Sequence, residues 1–144
     1  RQYNTRYIAV MPTNIYGPGD NYDLETAHVL PALIRKIHQA KMSNSATFQA
    51  WGTGDALREF LYSDDLATAC ILLLTLTEKK LESLISFNEP PLINVGTGHE
   101  LKVRDLVQII SDVLGFEGRV CWDIEQSDGY HLQVKRLYHL ESAT

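Results

Sequence analysis

The stretch Met11-Pro12-Thr13-Asn14-Ile15-Tyr16-Gly17-Pro18-Gly19-Asp20-Asn21 restricts the folds open to this chain more than any other. The apolar run Tyr7 to Val10 leads into it, and residues 7 to 14 read as one buried strand that ends in a loop. Pro12, Gly17, Pro18 and Gly19 fix where the chain turns away. In a parallel α/β sheet, ligands bind at the carboxyl ends of strands, and Thr13 and Asn14 would stand there with side-chain donors and acceptors. On spacing alone, a plain strand end with loop punctuation accounts for the same residues.

Strand and helix patterns alternate downstream. Val29, Leu30, Leu33, Ile34 and Ile37 recur at helical spacing within a helix expected from Thr26 to Met42. His28 and Arg35 lie opposite that face and Lys36 on its flank, where they can meet a ligand or plain water. Thr47 to Trp51 and Arg58 to Tyr62 read as short strands on either side of Gly52-Thr53-Gly54-Asp55. Asp64 or Asp65 suits the N-cap of a second helix, Leu66 to Thr77. That helix is apolar nearly all round, which predicts burial on more than one side. Glu78 to Pro91 reads as a charged connection. Leu92 to Val95 is a buried strand, turned by Gly96-Thr97-Gly98. A third helix, Val103 to Leu114, sets Val103, Leu106, Val107, Ile110, Val113 and Leu114 on one face and stops at Gly115. Arg119 to Ile124 is a last strand. Such alternation predicts the α/β class.

The 144 residues are 44% hydrophobic and 22% charged, a globular composition with room for one real core. A formal charge of −5 argues against a nucleic-acid partner. The longest apolar run, Ile71 to Leu76, is far too short to span a bilayer, so no membrane partner is expected. Cys70 and Cys121 lack metal-ligand spacing, and no metal is expected. Two cysteines without an evident pairing fit a reducing, cytoplasmic setting. The chain opens on Arg1, and residues 1 to 6 read like a helix end and short loop interrupted mid-fold. The expectation is therefore the carboxyl part of a longer protein.

MPTNIYGPGDNYD, HVLPALIRKIH (His28 to His38), WGTGDALREFLYSDDLA (Trp51 to Ala67) and INVGTG (Ile93 to Gly98) together resemble extended short-chain dehydrogenase/reductases acting on nucleotide sugars. Within that group the blocks are most similar to the GDP-L-fucose synthase family, over roughly residues 1 to 130. The resemblance implies the end of a Rossmann-type parallel sheet plus a smaller α/β substrate-binding domain. Residues 1–23 would close the NADP-binding domain. Residues 24–144 would be mainly the substrate-binding domain, with helix 65–77 packing on the nucleotide-binding one. It also implies a GDP-sugar substrate, NADPH as cofactor and a homodimer in the intact enzyme.

The implied reaction epimerises two ring carbons beside a keto group and then reduces the ketone. His28 matches the family's acid/base histidine, which also lies near the nicotinamide; a histidine titrates in the range such proton transfers need. Pro12, Thr13, Asn14 and Ile15 match the segment touching the nicotinamide end of the cofactor. Arg58 and Lys36 match cations that grip the diphosphate, and Trp51 matches a tryptophan close to the bound sugar nucleotide. Asp128 matches the Asp-Gly of a substrate-touching loop. There the family's usual preceding proline is Ser127, and its later lysine is Gln133, with Lys135 two residues late.

The family's cysteine partner, Tyr-x-x-x-Lys pair and glycine-rich turn belong upstream of this chain. Tyr3 is followed four residues on by Tyr7 rather than lysine, so these residues alone are expected to be inactive. Two alternatives stay open: another nucleotide-sugar epimerase, dehydratase or reductase of the same superfamily, and a non-catalytic binding or structural remnant.

Overall fold

The computed structural model describes residues 7–84 and 90–128. The expectations for residues 1–6, Gly129, Gln133 and Lys135 fall outside them. In chain order the elements are β1 (Ala9–Pro12), β2 (Asn14–Tyr16), α1 (Val29–Met42), β3 (Thr47–Trp51), β4 (Leu57–Tyr62), α2 (Ser63–Thr75), α3 (Glu78–Leu84), β5 (Leu92–Val95), β6 (Glu100–Lys102), α4 (Val103–Leu114) and β7 (Arg119–Asp123). The class is α/β, and every strand pair with a defined register is parallel. The chain divides into two compact units. Their described residues are 7–17, 59–84 and 90–99 in one, and 18–58 and 100–128 in the other.

In the first unit, β1 runs parallel to β5, from Ala9 opposite Leu92 to Pro12 opposite Val95. The Thr13 N–H then donates to the Val95 carbonyl at 3.1 Å. One residue later the chain has a new neighbour, with Asn14 opposite Phe60 and Tyr16 opposite Tyr62 on β4. The single strand expected over 7–14 is thus two strands broken at Thr13. The N–H groups of Ala9 and Thr13 face β5, so the missing N–H of Pro12 lies on the side away from β5 and the first ladder ends only at Thr13.

The period of two puts Ile8 and Val10 on the inner face of the β1–β5 pair, with Ile93 and Val95 beside them. They meet Leu61 of β4 and Leu66, Ala69 and Leu73 of α2 in one apolar cluster. That burial is one-sided. Ile71 is 62% and Leu74 86% exposed, so the expectation that α2 is buried on more than one side does not hold among the described residues. The helix also begins earlier than expected, at Ser63 after an N-cap at Tyr62. Asp64 and Asp65 lie in its first turn, where their charge complements the helix dipole. Residues 78–84 form a helix, not a connection, because the Glu-, Lys- and Leu-rich segment has high helix propensity.

In the second unit, β3 and β7 pair in parallel from Thr47–Arg119 to Trp51–Asp123. Phe48 and Ala50 point to the same face of β3 and are buried. Leu33 and Ile37 of α1 and Leu106, Val107 and Ile110 of α4 complete the core, with Ile37 fully enclosed. Val113, expected on the buried face of α4, is 82% exposed. The helix ends as expected at Gly115, whose φ of 66° is the left-handed conformation suited to glycine. β6 is a short strand that the sequence pattern did not mark. Among the described residues no helix is long and apolar enough to cross a membrane.

Candidate functional site

Helix α1 starts three residues later than its apolar period suggested, because Asp23 ties up the preceding turn. One carboxylate oxygen of Asp23 accepts from the Glu25 N–H at 3.0 Å, the Thr26 N–H at 3.1 Å and the Thr26 hydroxyl at 3.0 Å. These bonds, the Glu25 N–H foremost, favour the charged carboxylate and hold its pKa below the ordinary value of 3.8. Arg35 Nη1 reaches back to the Tyr22 carbonyl at 2.7 Å and pins the same turn. His28 becomes the N-cap residue, with ψ of 167° and no side-chain cap bond. Its carbonyl accepts the first helical bond from Ala32 at 3.0 Å, while the imidazole is exposed. Ala27 and Val29, on either side of it, line a cavity.

That cavity, of about 510 Å³, lies within the second unit. Lys36 of α1, Trp51 at the end of β3, Arg58 of β4, and Ser127 and Asp128 all line it. Leu33, Phe48 and Val103 are among its apolar walls. The fold therefore gathers four of the expected substrate residues, Lys36, Trp51, Arg58 and Asp128, from sequence positions up to 92 apart around one space. Trp51 is 61% exposed, and the Lys36 ammonium stands 4.3 Å from its ring centroid. Arg58 is held by two carbonyls: Nη1 donates to Leu57 and Nη2 to Asp128, both at 2.8 Å. A guanidinium has five N–H donors, so it can be fixed this way and still offer others to an anion.

Asp128 has a second structural role that the sequence did not reveal. Its Oδ1 accepts from the Thr53 N–H and its Oδ2 from the Thr53 hydroxyl, each at 2.7 Å. Gly52, with φ of 77°, leaves the space this carboxylate occupies; a Cβ there would collide with it. On the far side of the 52–55 turn, Asp55 pairs with Arg104 at 2.8 Å and Lys102 at 3.1 Å. The turn following Trp51 is thus clamped from two directions. Thr53 carried no signal beyond the Gly-Thr-Gly-Asp turn itself.

Pro12, Thr13, Asn14 and Ile15 lie in the first unit, at the carboxyl ends of the paired strands β1 and β5. Thr13 Oγ1 is buried without a hydrogen-bond partner among the described residues. Asn14 Nδ2 donates to the Glu59 carbonyl at 2.8 Å, leaving the amide oxygen as an acceptor. Glu59 is a further residue missed by sequence reasoning. It alternates with buried Leu61 along β4, and that inward position was the available signal. Among the described residues no three His, Cys, Asp or Glu side chains group to hold a metal ion.

The model of the family described as "NAD dependent epimerase/dehydratase" matches residues 1–96. The chain belongs to this family. Within the epimerase/dehydratases, it is 43% identical over 145 residues to the GDP-L-fucose synthase of Escherichia coli (strain K12), covering 97% of this chain and 44% of that protein. It is 42% identical over 128 residues to GDP-L-fucose synthase 1 of Arabidopsis thaliana, covering 89% of this chain and 36% of the relative. The fold is also similar to a solved GDP-L-fucose synthetase from Naegleria fowleri bound to NADP. That match has a TM-score of 0.68 at 29% identity over 88% of this chain and 35% of the solved one. The chain thus spans 35–44% of the length of these relatives.

Proposed function

We propose that this epimerase-family chain supplies the sugar-nucleotide site of an NADPH-dependent GDP-L-fucose synthase, which epimerises GDP-4-keto-6-deoxymannose and then reduces it to GDP-L-fucose. The observation that carries this reading is the convergence of Lys36, Arg58 and Trp51 on one cavity. Lys36 supplies a point charge and Arg58 a fork of donors for the diphosphate. The exposed Trp51 ring offers a flat wall for the nucleotide or sugar. Asp128 orients Arg58 through its carbonyl and fixes the turn beside Trp51 through its carboxylate.

His28 is assigned the proton transfers at the ring carbons next to the keto group. Its imidazole stands at the start of α1 without a capping bond, so the ring is available for them. Pro12 to Ile15 would face the nicotinamide end of the cofactor, through backbone groups and the Asn14 amide oxygen, and His28 would also lie near the nicotinamide. The Thr13 hydroxyl, without a partner among the described residues, fits a segment with a polar atom still to be satisfied. When bound, NADPH supplies the hydride for reduction.

No Tyr-x-x-x-Lys spacing occurs in the 144 residues, so the chain by itself is assigned binding without turnover. Residues 1–23 are assigned to the nucleotide-binding domain and 24–144 mainly to the substrate-binding domain. The core shared by α2, β1 and β5 supports placing helix 65–77 against the nucleotide-binding part. The expected partners are an amino-terminal half and, in the intact cytoplasmic enzyme, a second copy.

The test is titration of the chain with GDP and with GDP-mannose as a stable sugar nucleotide, followed by tryptophan fluorescence and calorimetry. Saturable binding that weakens in Arg58→Ala and Lys36→Met is expected. No binding by the folded chain, or binding indifferent to both substitutions, overturns the assignment.

A further inference from the structure

Glu59 is the buried charged side chain among the described residues of the first unit, 8% exposed. Its Oε1 accepts from the Gly98 N–H at 2.6 Å and from the Thr97 hydroxyl at 3.3 Å. The Thr97 hydroxyl in turn accepts from the His99 N–H at 3.3 Å. Gly96 passes so close that a Cβ there would collide with the Glu59 carboxyl and come within 2.9 Å of Thr13 Cγ2. From its main chain, Glu59 also holds Asn14, whose Nδ2 donates to the Glu59 carbonyl. One residue therefore joins three segments far apart in sequence: the Thr13–Asn14 strand break, β4 and the Gly96–Gly98 turn.

These segments share a location. Pro12 pairs with Val95, so Thr13 and Gly96 each leave the carboxyl end of a parallel strand side by side. Such strand ends are where α/β sheets present backbone groups to ligands. A carboxyl group here cannot be explained by apolar packing, since a buried polar group costs free energy unless its hydrogen bonds are made. Here they are made to the turn that abuts Thr13.

We propose that Glu59 is a positioning residue for the strand-end site: its buried carboxyl fixes the Gly96–Gly98 turn against Thr13 while its carbonyl orients Asn14, setting the surface that the nicotinamide end of a dinucleotide meets. This rests on the assignment of Pro12 to Ile15 to the cofactor. Removing the carboxyl leaves the Gly98 N–H without its acceptor and lets the turn move relative to Thr13.

The experiment uses the 144-residue chain, ¹⁵N-labelled, titrated with reduced nicotinamide mononucleotide as probe. The amide signals of Thr13, Asn14 and Gly98 are followed, and thermal melting is recorded in parallel. In the wild-type chain, signals at Thr13 and Asn14 are expected to shift saturably; if they do not, the cofactor assignment fails and the proposal with it. Glu59→Ala should weaken binding to the folded chain by about tenfold, and Glu59→Gln, which keeps an oxygen for Gly98, should restore most of it. A lower melting temperature with unchanged affinity means that Glu59 only stabilises the fold, which overturns the proposal while leaving the cofactor assignment standing. Should Glu59→Ala not fold, Thr97→Val decides: weaker binding supports the proposal, and wild-type affinity overturns it.

Discussion

The Lys36 ammonium lies over the face of Trp51, 4.3 Å from the ring centroid. A contact of this kind at an exposed site is worth about 0.5–1 kcal/mol, less than a charge-assisted hydrogen bond to an anion. Lys36 can therefore leave the ring for a phosphate. Lys36→Met should weaken GDP binding by about tenfold, and the difference from wild type should shrink as salt is raised. Fluorescence in a Trp122→Phe background reads Trp51 alone; an unchanged emission on saturation with GDP would place the ligand elsewhere.

His28 and Arg58 should separate by kinetic parameter once the chain is joined to the amino-terminal part of its Escherichia coli relative. In the role proposed for His28, His28→Asn removes an acid/base group, and such groups typically contribute about 10²- to 10⁴-fold. It should slow solvent deuterium incorporation next to the keto group by that order, with little change in KM. Arg58→Ala should chiefly raise KM, because the diphosphate contact proposed for Arg58 would be present before and during the reaction. Wild-type exchange by His28→Asn would leave the histidine no acid/base role.

Gly52→Ala should destabilise the second unit by more than about 1 kcal/mol, since alanine is strained at positive φ. The new methyl would also strike the Asp128 carboxylate. Asp128→Ala on its own should loosen the turn by freeing Thr53. In the double variant the steric part of the Gly52 penalty should vanish while the φ part remains. Denaturant midpoints of the four proteins test this, and strict additivity would contradict the collision.

Asp23 makes the turn before His28 sensitive to acid. Its folded pKa lies below 3.8, so its contribution to stability is complete above that value. As pH falls from 3.8 toward the lower folded value, the unfolded form takes up its proton first and the contribution declines. Below the folded value it is gone. The Thr26 amide signal should report this loss in the acid range and not at neutral pH. Asp23→Asn should abolish the transition at that amide, and its persistence there would assign it to another group.

The exposed Ile71 and Leu74 on α2 predict self-association or marginal stability of the isolated chain. Light scattering should show a larger species that diminishes in Leu74→Glu. A monodisperse, high-melting wild-type monomer would contradict this.

Helices α1, α2 and α4 and most strands were legible because their apolar residues recur at 3.6 or two positions, as Leu33 and Ile37 or Phe48 and Ala50 do, whereas α3 has no such face to read. Boundaries were less so. Helix α1 starts late because Asp23 captures Thr26, a local bond that periodicity does not register. Tyr62 carries no side-chain cap bond at the start of α2, where the sequence pattern offers Asp64 or Asp65. The cavity residues were legible as blocks of a family, but their work was not. That Asp128 braces Thr53, or that Glu59 reaches Gly98, depends on contacts 75 and 39 positions apart.

Because the chain leaves β5 and joins β4 across the single residue Thr13, this point has no slack. An extra residue inserted between Pro12 and Asn14 would turn every side chain of β2 to the opposite face against β4. The loop from Gly17 to Ala27 is bounded by no such double register. Natural length variation should therefore be permitted in that loop and purged at the strand break. A library of one-residue insertions along residues 9–27 would map where this chain can grow.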